Sequence, residues 1–240
     1  MAAADQTGFE TLQAIEKADN FNQWMFSAIS SYCTGNILEI GSGIGNISKL
    51  FVSGNFSITL TDIDSYYIDI LHKRFHDSKN VKEIRLVDLQ EPAFDKIYNH
   101  LKESYDTIFM LNVLEHLENE QGAIQNCNFM LKPGGTLIIL VPAYSWLYSR
   151  IDNELGHKKR YTAVKLNKVI SAQKLLISKT FYFNALGIPA WLYGKILRLK
   201  KIPSTEMNIF DRLTGLGKFI DKIVFHKAGL SVISVSKKIN

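Results

Sequence analysis

The sequence predicts an α/β fold, a mainly parallel sheet wound on both sides by helices, and three observations predict it. Short apolar runs alternate with segments of helical period from Asn36 to Val141. A glycine-rich turn, Gly41 to Gly45, joins the first run to the helix that follows. Asp62, Asp88 and Asn112 then close three successive runs, at the edge where such sheets bind ligands.

Each element follows from its pattern. Ala14 to Tyr32 reads as one helix, because Ile15, Ala18, Phe21, Met25, Ile29 and Tyr32 recur every three to four residues. Strands are predicted at Asn36–Ile40, Ser57–Thr61, Glu83–Val87, Thr107–Leu111 and Thr136–Val141. Helices are predicted from Ile47, over Ser65–His76, around Phe94–Lys102 and over Glu120–Leu131. Lys132-Pro133-Gly134-Gly135 reads as the turn that ends one helix and launches the next strand, since proline cannot continue a helix and glycine reaches positive φ. Further strands are expected at Leu175–Phe183 and Leu230–Ser236, with a mostly helical, apolar and basic segment, Gly187 to Lys227, between them.

Composition bounds the function. At 240 residues, 46% hydrophobic and 21% charged, the chain has the make-up of one globular unit with a sizeable core. The expected organisation is a cap helix over 1–35, a ligand-binding core over 36–142, an acceptor loop and lid over 143–227, and a closing strand over 228–240. The N-terminus lacks the basic start and apolar run of a signal peptide, and with only Cys33 and Cys127 a reduced, cytoplasmic location is expected. Net charge is +5, yet residues 1–150 carry 11 Lys/Arg against 18 Asp/Glu and residues 151–240 carry 17 against 5. The basic half reads either as a solvated surface or as the signal of an anionic partner: a charged metabolite, a lipid surface or nucleic acid. A metal site is not expected, because neither cysteine has a CxxC partner and no two histidines stand beside a carboxylate at zinc-ligand spacing on one helix.

Ile37-Leu38-Glu39-Ile40-Gly41-Ser42-Gly43-Ile44-Gly45 carries the chemistry, because glycines let a ligand lie against the backbone at a helix start. A dinucleotide fingerprint would place its third glycine at position 46, which is Asn46, so a pyrophosphate is disfavoured. Asp62 stands where doubly wound sheets set an acid against ribose hydroxyls.

With these residues the stretch from Asn36 to Val141 resembles the class I S-adenosylmethionine-dependent methyltransferases, in their small-molecule branch. Asn112-Val113-Leu114-Glu115-His116-Leu117 is similar to the branch's loop after its fourth strand, and Leu131-Lys132-Pro133-Gly134-Gly135 to its next turn. The resemblance implies S-adenosylmethionine as cofactor and a seven-stranded sheet with an antiparallel last strand. It implies that Glu39, Gly41, Ser42, Gly43 and Gly45 surround the methionine end and that Asp62 holds the ribose. Ile63 would flank the adenine, Asp88 with Leu89 would meet its edge, and Asn112 and Val113 would line the sulfonium. Asn20-Phe21-Asn22-Gln23-Trp24 is similar to a cofactor-capping segment, with Phe21 where some relatives carry tyrosine, so Asn22 and Trp24 are counted with the cofactor residues.

The segment Arg150 to Thr162 packs acid, imidazole, guanidinium and phenol together and reads as a loop facing the acceptor. His157 is the expected base or acceptor-orienting group, with His116 second, and Tyr144, Tyr148, Arg160, Tyr161 and Trp191 are expected contacts. Phe181 to Lys201 is expected to form a lid, suited to an apolar, anionic acceptor or a peripheral membrane contact. The acceptor is then a small or lipid-like metabolite, methylated at oxygen or else at nitrogen or carbon. The rivals are an RNA or protein methyltransferase that uses the basic half, and a non-catalytic S-adenosylmethionine-binding protein. Nucleic acid is disfavoured, because no Asn/Asp-Pro-Pro-aromatic element or RNA-binding module is present.

Overall fold

A computed structural model describes residues 3–201 and 203–239. The first helices are α1 (Ala3–Glu16) and α2 (Asp19–Ile29), followed by a 3-10 turn over Ser30–Tyr32. The single helix expected over Ala14–Tyr32 is therefore two. The chain breaks at Ala18, which leaves helical geometry (ψ 70°), and the Asn22 side chain donates to the freed carbonyl of Ile15 at 2.7 Å.

The alternating core follows: β1 (Ile37–Ile40), α3 (Ser48–Ser53), β2 (Ile58–Asp62), α4 (Ser65–Phe75), β3 (Val81–Leu86), α5 (Phe94–Ile97), β4 (Tyr105–Leu111), α6 (Glu120–Met130) and β5 (Leu131–Pro142). The second half adds α7 (Arg150–Glu154), α8 (Ala163–Ser171), β6 (Leu175–Phe183), α9 (Gly187–Ile196), α10 (Ser204–Arg212), α11 (Thr214–Ile223) and β7 (Ser231–Lys238). The helix expected around Phe94–Lys102 is only one turn plus a 3-10 turn over Asn99–Leu101. The Lys132–Gly135 turn lies inside β5 as a bulge, since Tyr105 pairs with Leu131 and Thr107 already with Thr136.

Seven strands form one sheet in the order β3-β2-β1-β4-β5-β7-β6, with β7 antiparallel to both neighbours. Successive residues of a strand point to opposite faces, and both faces here are apolar. Leu38, Ile108, Met110, Leu137 and Ile139 pack under α6 and α8 on one side, while Ile37, Phe109, Ile138 and Leu140 pack under α2 and α3 on the other. Phe51 stacks on Phe109 with ring centroids 4.8 Å apart, so truncating Phe109 costs about 3–5 kcal/mol. No helix among the described residues is long and apolar enough to cross a membrane.

Candidate functional site

The carboxyl ends of β1, β2 and β4 meet at the glycine-rich turn. Gly41 takes φ +71°, and a Cβ there would stand 2.4 Å from Val113 Cγ2, so only glycine lets the end of β1 lie against the loop after β4. Gly43 takes φ +54°, with Leu12 Cδ1 3.0 Å from where its Cβ would be. Its amide donates to Asp62 Oδ2 at 2.8 Å, and the other Asp62 oxygen accepts from the Asp64 amide at 3.1 Å. Asp62 is thus locked to the turn across the β1/β2 crevice, and burial pushes its pKa up.

Behind the turn Glu39 is buried and accepts from the Ser48 hydroxyl, while the Ser42 hydroxyl accepts from the Thr61 amide. Burial raises the Glu39 carboxyl to about 7, against the lowering effect of Ser48 and Ser42. Ile63 stands open to solvent beside Asp62, 56% exposed, as an apolar platform. Asp88 accepts from the Gln90 amide at 2.7 Å, and the neighbouring Leu89 is buried with its carbonyl held by Asn126. Asn112 ends β4 in the left-handed region (φ +55°), its amide bonded to Leu140.

Two expected cofactor residues are occupied elsewhere. Trp24 is buried among Phe21 and Phe183, 4.5 Å from the latter ring, and pressed on Gly217, so its indole joins α2 to α11 as packing. Asn22 has its amide nitrogen committed to α1, although its buried Oδ1 has no partner. In their place α1 covers the turn, with Leu12 over Gly43, its carbonyl bonded to Asn46, and Phe9 edge-on to Tyr66 at 5.6 Å. Nothing in the spacing of α1 signals this contact, which arises only when the chain folds back.

A second cluster lies beyond Val113. Glu115 and His116 sit on the 3-10 turn Leu114–His116, and His157 reaches them from the segment after α7. The His116 and His157 rings meet edge-on at 4.8 Å, and His157 Nε2 is 3.9 Å from Glu115 Oε1. On its other side His157 Nδ1 is bonded to Asp152 Oδ1 at 2.9 Å. Asp152 is wholly buried in a capping box with Ser149, and also accepts from Arg160 Nε at 2.8 Å. Burial alone would raise Asp152, but His157 and Arg160 hold it below the ordinary carboxylate range. Burial pushes Glu115 up to about 8 and, with His157 beside it, His116 down to about 4.

The Arg150–Thr162 segment, expected as a loop, holds the short helix α7 and buries Asp152, Arg160 and Tyr161 while Arg150 and Lys158 stay exposed. Arg160 is 3% exposed, paired to Asp152, bonded to the Ala143 carbonyl and stacked 4.4 Å from the Trp191 ring. Tyr161 is 2% exposed and donates to Glu120 at 2.7 Å, its pKa raised by burial. Arg160 and Tyr161, both expected to touch the acceptor, are thus buried and bonded to Asp152, the Ala143 carbonyl and Glu120. Tyr148 donates to the His157 carbonyl at 2.6 Å. Trp191 donates to the Leu147 carbonyl, and Tyr144 stacks between Trp146 and Tyr182. Glu115 and Asp152 were not singled out by sequence; the available signals were the Glu-His pair and the Ser149-to-Asp152 capping spacing.

The methyltransferase domain family matches residues 38–137, the part that holds the crevice. The hybrid PKS-NRPS synthetase iliA of a Neonectria species is 30% identical over 109 residues, 44% of this chain and 3% of that one. The mitochondrial methyltransferase OMS1 of Saccharomyces cerevisiae is 30% identical over 176 residues, 64% of this chain. The chain spans 37% of OMS1, so these relatives extend well beyond it. Haemonchus contortus phosphoethanolamine N-methyltransferase 2, solved with S-adenosyl-L-methionine, superposes with a TM-score of 0.62 at 16% identity, over 92% of this chain and 53% of that one. At that identity the likeness speaks for the fold. Strand order, the glycine turn under Val113 and the match over 38–137 agree: residues 38–137 form a methyltransferase domain, set in the Rossmann-like fold of S-adenosylmethionine-dependent methyltransferases.

Proposed function

We propose that this chain methylates a small or lipid-like metabolite at oxygen, with the cofactor in the Gly41–Gly45 crevice and the acceptor against the Glu115–His116–His157 cluster. The observation that carries this reading is the contact of Gly41 with Val113, which sets the cofactor turn directly beside the loop that bears Glu115 and His116. A turn of positive-φ glycines between a strand end and a helix, free of side chains of its own, suits the methionine end of S-adenosylmethionine, and the buried Asp62 carboxylate suits two ribose hydroxyls. When bound there, the cofactor supplies an electrophilic methyl group on a sulfonium sulfur. The leaving thioether needs no acid, so the residues' tasks are alignment, exclusion of water and removal of the acceptor's proton. An imidazole suits the last task, and Asp152 fixes the His157 ring in one orientation.

His157→Ala is expected to leave affinity for S-adenosylhomocysteine unchanged by calorimetry while lowering turnover of an acceptor found by screening extracts with labelled cofactor. Equal loss of both would refute the division of labour.

The basic half supports an anionic or lipid-like acceptor. Tyr193, Ile196 and Leu197 on and after α9 are exposed beside Lys195, Arg198 and Lys200, a mixture suited to an anionic interface. Co-sedimentation with anionic vesicles is expected at low salt and to weaken at physiological salt. No association at either salt would leave α9 as a lid only.

A further inference from the structure

Glu115 is a buried acid whose oxygens no protein group satisfies by a hydrogen bond. Its side chain has no exposed surface, and neither carboxylate oxygen has a hydrogen-bond partner. A carboxylate so placed is costly unless a cation or a proton compensates it. Arg160 is the nearest guanidinium in the cluster, but its Nε is bonded to Asp152 and its NH1 to the Ala143 carbonyl. Lys158 turns its ammonium outward to Glu118. Two buried acids, Glu115 and Asp152, thus face one buried guanidinium and the His157 ring between them.

The atoms turned toward Glu115 are metal-binding atoms. His157 sets Nδ1 against Asp152 at 2.9 Å and Nε2 on the Glu115 side, 3.9 Å from Oε1, the orientation found in carboxylate–histidine–metal arrangements. His116 adds a second imidazole, its ring edge-on to that of His157 with centroids 4.8 Å apart. One ligand atom from each of Glu115, His116 and His157 lies within 4.8 Å of the others. Ligands bonded at about 2.1 Å to one tetrahedral ion stand roughly 3.4 Å apart, so binding would draw the ligand atoms together by up to about 1.4 Å. No spacing rule finds this set, because Glu115 and His116 come from the loop after β4 and His157 from the segment after β5 and α7.

We propose that Glu115, His116 and His157 bind one divalent first-row transition-metal ion, Zn2+ or a chemical neighbour, with Asp152 as the partner that orients His157. Two imidazoles and one carboxylate form an N2O set of the kind that leaves at least one coordination position open. That position would take the acceptor oxygen. The inference rests on the methyl-transfer reading and deepens it. The ion lowers the pKa of a bound hydroxyl, which loses its proton to water; the O–CH3 bond then forms as the S–CH3 bond breaks. Metal-loaded, the two imidazoles act as ligands and the ion takes over activation of the oxygen.

The test uses the whole chain, stripped with EDTA and titrated with Zn2+ by calorimetry and with Co2+ by visible absorbance, with S-adenosylhomocysteine titrated in parallel. The expected result is one equivalent of metal and a Co2+ spectrum of a four- or five-coordinate site. Glu115→Gln should abolish that spectrum, and Asp152→Asn should weaken the metal roughly 10–100-fold through the reoriented imidazole. Glu118→Gln, on the exposed neighbour, should change neither. Wild-type chain that binds S-adenosylhomocysteine but no stoichiometric metal overturns the metal site alone. A Co2+ spectrum that survives in Glu115→Gln also overturns it. Wild-type chain that binds metal and no S-adenosylhomocysteine overturns the methyl-transfer reading instead.

Discussion

Replacing Asp152 with alanine should be the most damaging single change in the second half of the chain. The carboxylate accepts from the Ser149 amide and hydroxyl, from Arg160 Nε and from the His157 ring, all inside the protein. Removing it strands the Arg160 guanidinium, whose side chain is 1% exposed, with only the Ala143 carbonyl and the Trp191 face. Stranding one member of a buried ion pair costs about 3–5 kcal/mol. For a chain of 240 residues each kcal/mol shifts the melting midpoint by about 2–4 °C, so the variant should melt roughly 6–20 °C lower. Differential scanning fluorimetry, with urea unfolding to convert the shift to free energy, is the assay. Arg160→Met in the same background should recover part of the loss, because the unpaired charge is then gone. A midpoint within about 2 °C of wild type, or strictly additive effects in the double variant, would refute the buried-pair argument.

Asp62→Ala should weaken S-adenosylhomocysteine by about 1–3 kcal/mol through lost charge-assisted hydrogen bonds; unchanged affinity in a folded variant removes Asp62 from the ligand site. Glu39 should make stability depend on pH, because its carboxyl titrates at about 7 in the folded chain and near 4.3 when unfolded. Between those values the folded state holds the extra proton, so stability falls as pH rises, by an amount on the order of 3 kcal/mol, and levels off above the folded pKa. Glu39→Gln should flatten that slope in urea titrations at pH 5 and pH 8, and an unaltered slope would contradict it.

The core was legible because its strands are buried on both faces, and runs such as Ile108-Phe109-Met110 carry that burial in their composition. The glycine turn and Asp62 were legible for a different reason: a tight turn and a strand-end acid are local events. The split between α1 and α2 was not, since Lys17 and Ala18 are ordinary helix formers and the break is stabilised by Asn22 from the next turn. Nor was the burial of Asp152 and Arg160 within the Arg150–Thr162 segment. Polarity predicts solvent exposure, yet Asp152, His157 and Arg160 satisfy one another, and a mutually paired set can be enclosed where each member alone could not. Trp24 misled in the opposite sense, because an aromatic near the N-terminus fits a cap and a core position equally well until Phe183 and Gly217 arrive from distant sequence.

The two halves are joined in a way that separates cofactor binding from acceptor choice. The segment after β5 hangs from the loop after β4: the Lys158 amide donates to the Glu115 carbonyl, Tyr161 donates to Glu120, and Lys159 pairs with Glu120. His157 is therefore registered against the end of the cofactor crevice by hydrogen bonds that do not involve the lid. Helix α9 joins this frame through Trp191, whose ring covers Arg160 and whose indole nitrogen is held by Leu147. Beyond that anchor, Tyr193, Ile196 and Leu197 are exposed and hold nothing in place inside the frame. On the proposed function, substitutions along the outer face of α9 are expected to alter the acceptors turned over at little cost to stability, while changes at Asp152, Arg160 or Trp191 move His157 itself.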